Sequence, residues 1–401
     1  MIQEVTIENF KSVQHLSLAL SRFNVLIGSN GSGKSNILEA ITFAGAASAD
    51  KLDNEFLASR GIRPTTARLT KSAFNSNHFL NEIILSFTTY DNKIIYTIED
   101  DNKPISSWNV KERNEIEQKI SEYMQLISFD KMDELIPLLY KDELRNDLAP
   151  RDNINHEIYN EDLSEFMEML KNAIAKHESN LKLYNVNLAN FLIYSPEICS
   201  LRKFEEESQI KPLGIKGEGI FNVLQIFNEV YGKETLEELK HYLHIIEWFK
   251  DFEAVADSVT GRKSLVVKDR YMPDVNLNQN NVNEGFLFLL FYISLFISKE
   301  TPTFFAIDNI EASFHPRLCE ALIRNLVELS KKHNKQVILT THNPFVLDGL
   351  DLNDDEQTLF VVRRNADGET IADQIKTPPI GVKLSEAWER GYIGGQPETI
   401  E

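Results

Sequence analysis

Gly28, Gly33, Lys34 and Ser35 stand at the spacing GxxxxGK[ST], inside the run "FNVLIGSNGSGKSNILEAI". Glycines at those two positions let backbone amides curl around phosphate oxygens. Lys34 then reaches the β- and γ-phosphates and Ser35 ligates magnesium, with the dipole of the following helix adding favourable charge. The candidate nucleotide-binding set is therefore Gly28, Asn30, Gly31, Ser32, Gly33, Lys34, Ser35 and Asn36. A second candidate group lies far downstream, where "TPTFFAIDNIE" puts Asp308 at the end of an apolar run and "VILTTH" puts His342 at the end of another. Asp308 is placed to share a hydrated magnesium with Ser35, and His342 to hydrogen-bond a γ-phosphate. Asn309 follows Asp308. An amide orients water but does not accept its proton at neutral pH, so the available general base is Glu311 if it reaches the attacking water; if it packs elsewhere, a long-lived ATP-bound state is expected. ATP and Mg2+ are the cofactors these residues imply.

Such a site needs strands that end on one edge of a sheet and a helix that starts at the glycine turn. The sequence supplies them in order: an apolar strand, the turn and an amphipathic helix at the first motif, and a strand, the helix "CEALIRNLVELSKKHNKQ" and a strand at the second. Short strand patterns in "EVTIENF" and "LSLALS" precede the glycine turn, and "NEIILSFTTYDNKIIYTIED" reads as a hairpin with an Asp-Asn turn. From about Asp101 the texture changes to charged helical periodicity, as in "VKERNEIEQKISEYMQL", which predicts an inserted helical subdomain. "TLFVVRRNADGETIADQI" reads as a second hairpin, and "LSEAWERGYIGG" as a short helix stopped by glycine. The expected organisation is an amino-terminal lobe over 1–100, the insertion over 101–190 and a carboxyl-terminal lobe over 191–401.

A chain of 401 residues with 42% hydrophobic content has material for a large core. Its 61 acidic and 42 basic side chains give a formal charge of −19, a field that repels a polyanion unless a local basic patch intervenes. The apolar run Phe286 to Ile297 is well short of the roughly 20 residues of a membrane-spanning helix, so a buried core helix is expected and no membrane association. Charges within "MIQEVTIENF" argue against a signal peptide and for a cytoplasmic location. Cys199 and Cys319 have no CxxC or histidine partner at metal spacing and are expected to be buried, reduced thiols. Arg202, Lys203 and Gly217 are open to two readings, phosphate contacts or a solvated basic face beside a turn glycine.

Taken together, "IENFKSV", "GSNGSGKSN", "AIDNIEASFHP" and "LTTHNPFVL" resemble the ABC/SMC-type ATPase heads, specifically the stand-alone bacterial AAA-family ATPases related to the OLD-like group. The resemblance implies an α/β fold, an ABC-type P-loop NTPase head with a mixed β-sheet core, flanking helices and an antiparallel β subdomain. It also implies a homodimer, or a larger oligomer, in which two heads sandwich two nucleotides and each P-loop faces a signature segment of the partner. Only "VNEGFLFLLFYISLF" lies in the right place for that segment. Asn283, Glu284 and Gly285 are thus the signature candidates, although asparagine departs from the usual serine; Asn283 also reads as a helix N-cap. The D-loop position implies interface contacts from Ser313 and His315, while Gln125 and the turn "YSPE" both remain open as the Q-loop. Long SMC-type arms are not expected, because heptads do not persist.

OLD-type nucleases carry a TOPRIM domain after the ATPase, and the stretch after His342 is too short for one. Its carboxylate cluster, Asp351 to Glu356, reads as a loop rather than a metal site. The resemblance therefore implies an ATPase switch or sensor that controls a separate effector, a nuclease, in anti-phage defence of the PARIS-like kind, with DNA or a phage protein as trigger. The alternative is a RecF-like repair ATPase that binds DNA directly. A transporter motor fits poorly, since so long a stretch separates Lys34 from Asp308.

Overall fold

Side-chain alternation along three strands explains how the chain builds its central layer. The computed structural model describes residues 1–74, 82–90, 92–101, 107–114, 187–203, 210–256, 263–312, 314–377 and 381–396. Strands β1 (Glu4–Phe10), β2 (Val13–Ala19) and β3 (Phe23–Ile27) come first, followed by β4 (Ile83–Thr88), β5 (Lys93–Asp100), β6 (Trp108–Asn114) and β7 (Ile193–Tyr194). Strands β8 (Phe249–Ala256), β9 (Lys263–Asp269), β10 (Asn276–Asn278), β11 (Phe304–Ile307), β12 (Gln336–Thr341), β13 (Gln357–Arg364) and β14 (Thr370–Ile375) complete the set. On one face of β3, β11 and β12, Val25, Phe305, Ile307 and Leu339 join the larger core. Leu26, Phe304, Ala306 and Ile338 join the second core on the other face. Burial on both faces is what makes these strands read as continuous apolar runs.

The central sheet has the order β14-β13-β3-β12-β11-β7. All its neighbours are parallel except the β13–β14 hairpin at the edge. Strands β3, β12 and β11 are thus adjacent and point the same way. The chain leaving each of them supplies, in turn, the glycine turn, His342 and Asp308. An antiparallel sheet of order β2-β1-β4-β5-β6 lies over the second core, with the glycine-turn helix Lys34–Ser48 between the two sheets. A small antiparallel sheet, β10-β9-β8, and the helices Lys233–Leu243, Glu284–Ile297 and Pro316–Lys332 border the larger core. The fold is an ABC-type P-loop NTPase head.

Helix Glu284–Ile297 is buried continuously from Phe286 to Ile297, as its composition predicts. The hairpins expected from the Asp-Asn and Ala-Asp-Gly turns are β4–β5 and β13–β14. One boundary needs correction. Trp108–Asn114, expected within the helical insertion, is β6, whose residues pair antiparallel with Ile94 to Asp100 of β5. Trp108 and Val110 alternate with Asn109 and Lys111 and pack on the core, as suits an edge strand, and this short period-2 signal was masked by the charged run from Lys111. The first lobe thus extends past residue 100, and most of the expected insertion, with Gln125, lies outside the described residues. Cys199 corrects a second expectation: it is exposed, whereas Cys319 is buried. Among the described residues no helix is long and apolar enough to cross a membrane.

Candidate nucleotide-binding and hydrolysis site

The glycine turn after β3 is shaped by two close approaches. Gly33 has φ +111°, and a Cβ there would sit 2.1 Å from Thr370 Oγ1; one at Gly28 would sit 2.0 Å from the Val362 carbonyl oxygen. The β13–β14 hairpin therefore packs directly against the loop. A directional chain of hydrogen bonds ties the two together. Asn36 Nδ2 donates to Ser12 Oγ at 2.6 Å, Ser12 and Thr370 hydroxyls meet at 2.7 Å, and Thr370 Oγ1 donates to the Ser32 carbonyl at 3.0 Å. Arg364 Nε donates to the Gly31 carbonyl at 2.9 Å. Helix Lys34–Ser48 has Gly33 as its N-cap and no side-chain cap, so its first amides are left for an anion.

Lys34 is buried, and its Nζ donates to the Gly28 and Ser29 carbonyls at 2.9 and 3.1 Å. It also lies 3.4 Å from His342 Nδ1. Burial pushes the Lys34 ammonium down to about 8, against the opposing pull of the Asp308 and Glu311 charges. His342 is held below its ordinary value by burial first and the Lys34 charge second. Ser35 Oγ donates towards Asp308 at 3.3 and 3.5 Å from the two carboxylate oxygens. A serine hydroxyl facing a carboxylate is the donor set of a hydrated hard cation, which keeps several waters and takes few protein oxygens. No larger cluster of His, Cys, Asp or Glu suited to a metal occurs among the described residues.

Beyond Ile307, β11 leaves the ladder and side chains take over. The Thr340 hydroxyl donates to Asp308 Oδ1 and accepts from the Asn309 amide at 2.9 Å. Asn309 has φ +57°, a left-handed conformation that asparagine tolerates better than glutamate does. Glu311 Oε1 accepts from the His342 amide at 2.8 Å. A cavity of about 320 Å³ is lined by Asn30, Gly31, Gly33, Lys34, Ser35, Asn36, Arg63, Asn309, His342 and Arg364. The structure thus brings the P-loop, Asp308, Asn309 and His342 to one place through these contacts; neither Asp308 nor Glu311 is in the cavity's lining.

Arg63, Arg364, Glu39, Thr340 and Thr370 went unnoticed in the sequence. Arg63 lines the cavity; its Nε donates to Glu39 Oε1 at 2.7 Å, while Lys11 takes the other oxygen of that buried carboxylate. Thr340 was legible as a polar residue two before His342; nothing marked Glu39, Arg63, Thr370 or Arg364. A wider cavity of about 590 Å³ adjoins the first through Asn36, Arg63 and Arg364, with Lys11, Ser12, Lys71, Leu69 and Phe74 also in its wall.

The signature candidates lie elsewhere. Asn283 caps its helix, accepting from the Phe286 amide at 2.8 Å, and Asn283 and Glu284 are exposed and Gly285 half-buried, away from the cavity. His315 is the exposed N-cap of helix Pro316–Lys332, and Ser313 lies outside the described residues. The "YSPE" turn follows β7, and its Tyr194 carbonyl accepts from the Asp308 amide at 2.8 Å. Arg202 donates to the Gln279 carbonyl at 2.9 Å, and Gly217 has φ +100° where a Cβ would strike Leu201, so both have structural roles. Asp354 and Glu356 pair with Lys331, and Glu356 also with Arg22.

Residues 1–347 match the AAA ATPase domain family. The chain belongs to that family. No curated protein matches it in sequence. Among solved structures, it is similar to a Smc head bound to the C-winged helix domain of ScpA, at 16% identity, with 93% of this chain and 98% of that chain covered and a TM-score of 0.49. It is also similar to an SMC head domain from Thermotoga maritima, at 14% identity, 94% and 99% coverage and a TM-score of 0.41. At such scores the sheets described above, rather than the likeness, carry the fold of this AAA ATPase domain.

Proposed function

We propose that this AAA ATPase domain binds Mg·ATP in the cavity at Lys34 and hydrolyses it slowly, acting as a nucleotide-timed switch. Convergence of Lys34, Ser35, Asp308 and His342 at the ends of adjacent parallel strands carries this reading. The polyphosphate lies against the amides of the glycine turn, with Lys34 leaving the Gly28 and Ser29 carbonyls to meet it. Ser35 and Asp308 hold Mg2+, which neutralises phosphate charge. The wider adjoining cavity takes the nucleoside end. Asn309, at the position facing the attacking water, orients that water without accepting its proton, and this makes the ATP-bound state long-lived.

Two copies close around two nucleotides, each offering Asn283, Glu284 and Gly285 to the other, and a higher oligomer is compatible with that pairing. The output lies in a separate effector, a nuclease, within a cytoplasmic anti-phage system triggered by DNA or a phage protein; family resemblance supports that part. Purification of the natively expressed protein with Mg·ATP tests it. Recovery of a nuclease partner supports the switch, whereas a DNA-repair partner and salt-sensitive DNA binding sink it in favour of the RecF-like alternative.

A further inference from the structure

We propose that Glu311 is a positioning residue for His342, and that it is not the general base. The inference rests on the ATPase reading of the same site. Strand β11 stops pairing with β12 at Ile307↔Leu339. Past that point the backbone of the 308–311 segment turns away, and substitutes for ladder bonds hold β12's end. The Asn309 amide goes to Thr340 Oγ1 and the Ile310 amide to the Thr340 carbonyl. At the next exposed rung, the His342 amide finds the Glu311 carboxylate at 2.8 Å. The peptide that carries the imidazole beside Lys34 is therefore held by a side chain three residues beyond Asp308.

Geometry also removes Glu311 from the chemistry. One oxygen is committed to the His342 amide, and Oε2 is buried without a hydrogen-bond partner among the described residues. A base needs hydrogen-bond reach to the proton it takes. Glu311 instead faces inwards, where its charge is felt by the buried Tyr292 and Cys319 as well as by Lys34. It holds the His342 peptide.

Two near-isosteric variants separate positioning from proton transfer. Glu311→Gln keeps an acceptor at the same reach and loses basicity; Glu311→Asp keeps basicity and loses reach. Positioning predicts that Gln stays within about threefold of parental kcat while Asp falls about tenfold or more, with ATP affinity changing less than kcat in both. It further predicts that the His342 amide resonance in histidine-labelled protein moves upfield in the Asp variant, with or without nucleotide. The reverse order, Asp active and Gln inactive, overturns the assignment, and so does an unmoved His342 resonance. If the parental protein binds no Mg·ATP, the ATPase reading itself fails, while the His342 resonance still decides the contact.

Discussion

The two rims of the nucleotide cavity are built to different standards. On the P-loop rim every element is braced: Asn36, Ser12 and Thr370 form a chain to the Ser32 carbonyl, Arg364 holds Gly31, and buried Glu39 anchors Lys11 and Arg63. The opposite rim is held by Thr340 and Glu311, and its residue after Asp308 is an amide. Preorganised donors favour binding, and a positioned base favours turnover. On the proposed reading, the difference furnishes this molecule to hold a nucleotide more completely than to cleave it. Lys34→Ala attacks the stronger rim and has the largest expected effect. Losing a buried, charge-assisted contact of about 3 kcal/mol lowers ATP affinity about 100-fold or more. Calorimetric titration with Mg·ATP checks this, and parental affinity in that variant would defeat the P-loop assignment.

Asn309→Glu addresses the weaker rim. It supplies the missing proton acceptor in a left-handed backbone position, which costs about 1 kcal/mol of strain. Turnover should rise about tenfold, a fraction of what a well-placed base contributes, while the midpoint of thermal unfolding falls slightly. Steady-state phosphate release measures the first and calorimetry the second. A variant no faster than the parent would show that base chemistry is not what limits this rim.

How far the sequence showed these two rims differs in the same way. The P-loop is local: strand, turn and helix are contiguous, so spacing alone located every one of its residues. Asp308 and His342 were legible as polar residues closing apolar strands, and the order β3-β12-β11 then brought them together. The braces were not legible, because Arg63, Glu39, Thr370 and Arg364 act through contacts between distant segments whose types suit many surfaces. Glu311 was only half legible, for a related reason. Its type and spacing fit a base, and only the direction of its side chain, set by where β11 leaves the ladder, shows it turned onto the His342 amide. The β6 strand was hidden in a charged stretch, where edge-strand alternation and helical periodicity compete.

Thr340→Val probes what holds the weaker rim in place. Valine keeps the shape and removes a hydroxyl that both donates to Asp308 and accepts from the Asn309 amide. The carboxylate and the water-facing peptide then lose their common anchor. Expected is a fall of about fivefold in kcat, with ATP affinity changed about twofold or less, the pattern of an interaction used mainly in the reacting state. An equal loss in affinity would mean that Thr340 serves nucleotide binding generally, and that the rims are less separable than their contacts suggest.

The smallest effect should come from Thr370→Val, the matching hydroxyl deletion on the stronger rim. Thr370 accepts from Ser12 and donates to the Ser32 carbonyl, and its hydroxyl and methyl groups both lie where a Gly33 Cβ would otherwise sit. Valine preserves that packing but orphans both partners. A neutral hydrogen bond is worth about 1 kcal/mol net, and Arg364 still restrains Gly31 on the same loop. ATP affinity should therefore weaken only about threefold, with kcat unchanged. Combining Thr370→Val with Arg364→Ala, which removes the second restraint, should weaken affinity by more than the product of the single effects. Simple multiplication instead would mean that the two braces act independently, and that the loop's shape comes from Gly31, Gly33 and the close approach of the hairpin backbone rather than from its hydrogen bonds.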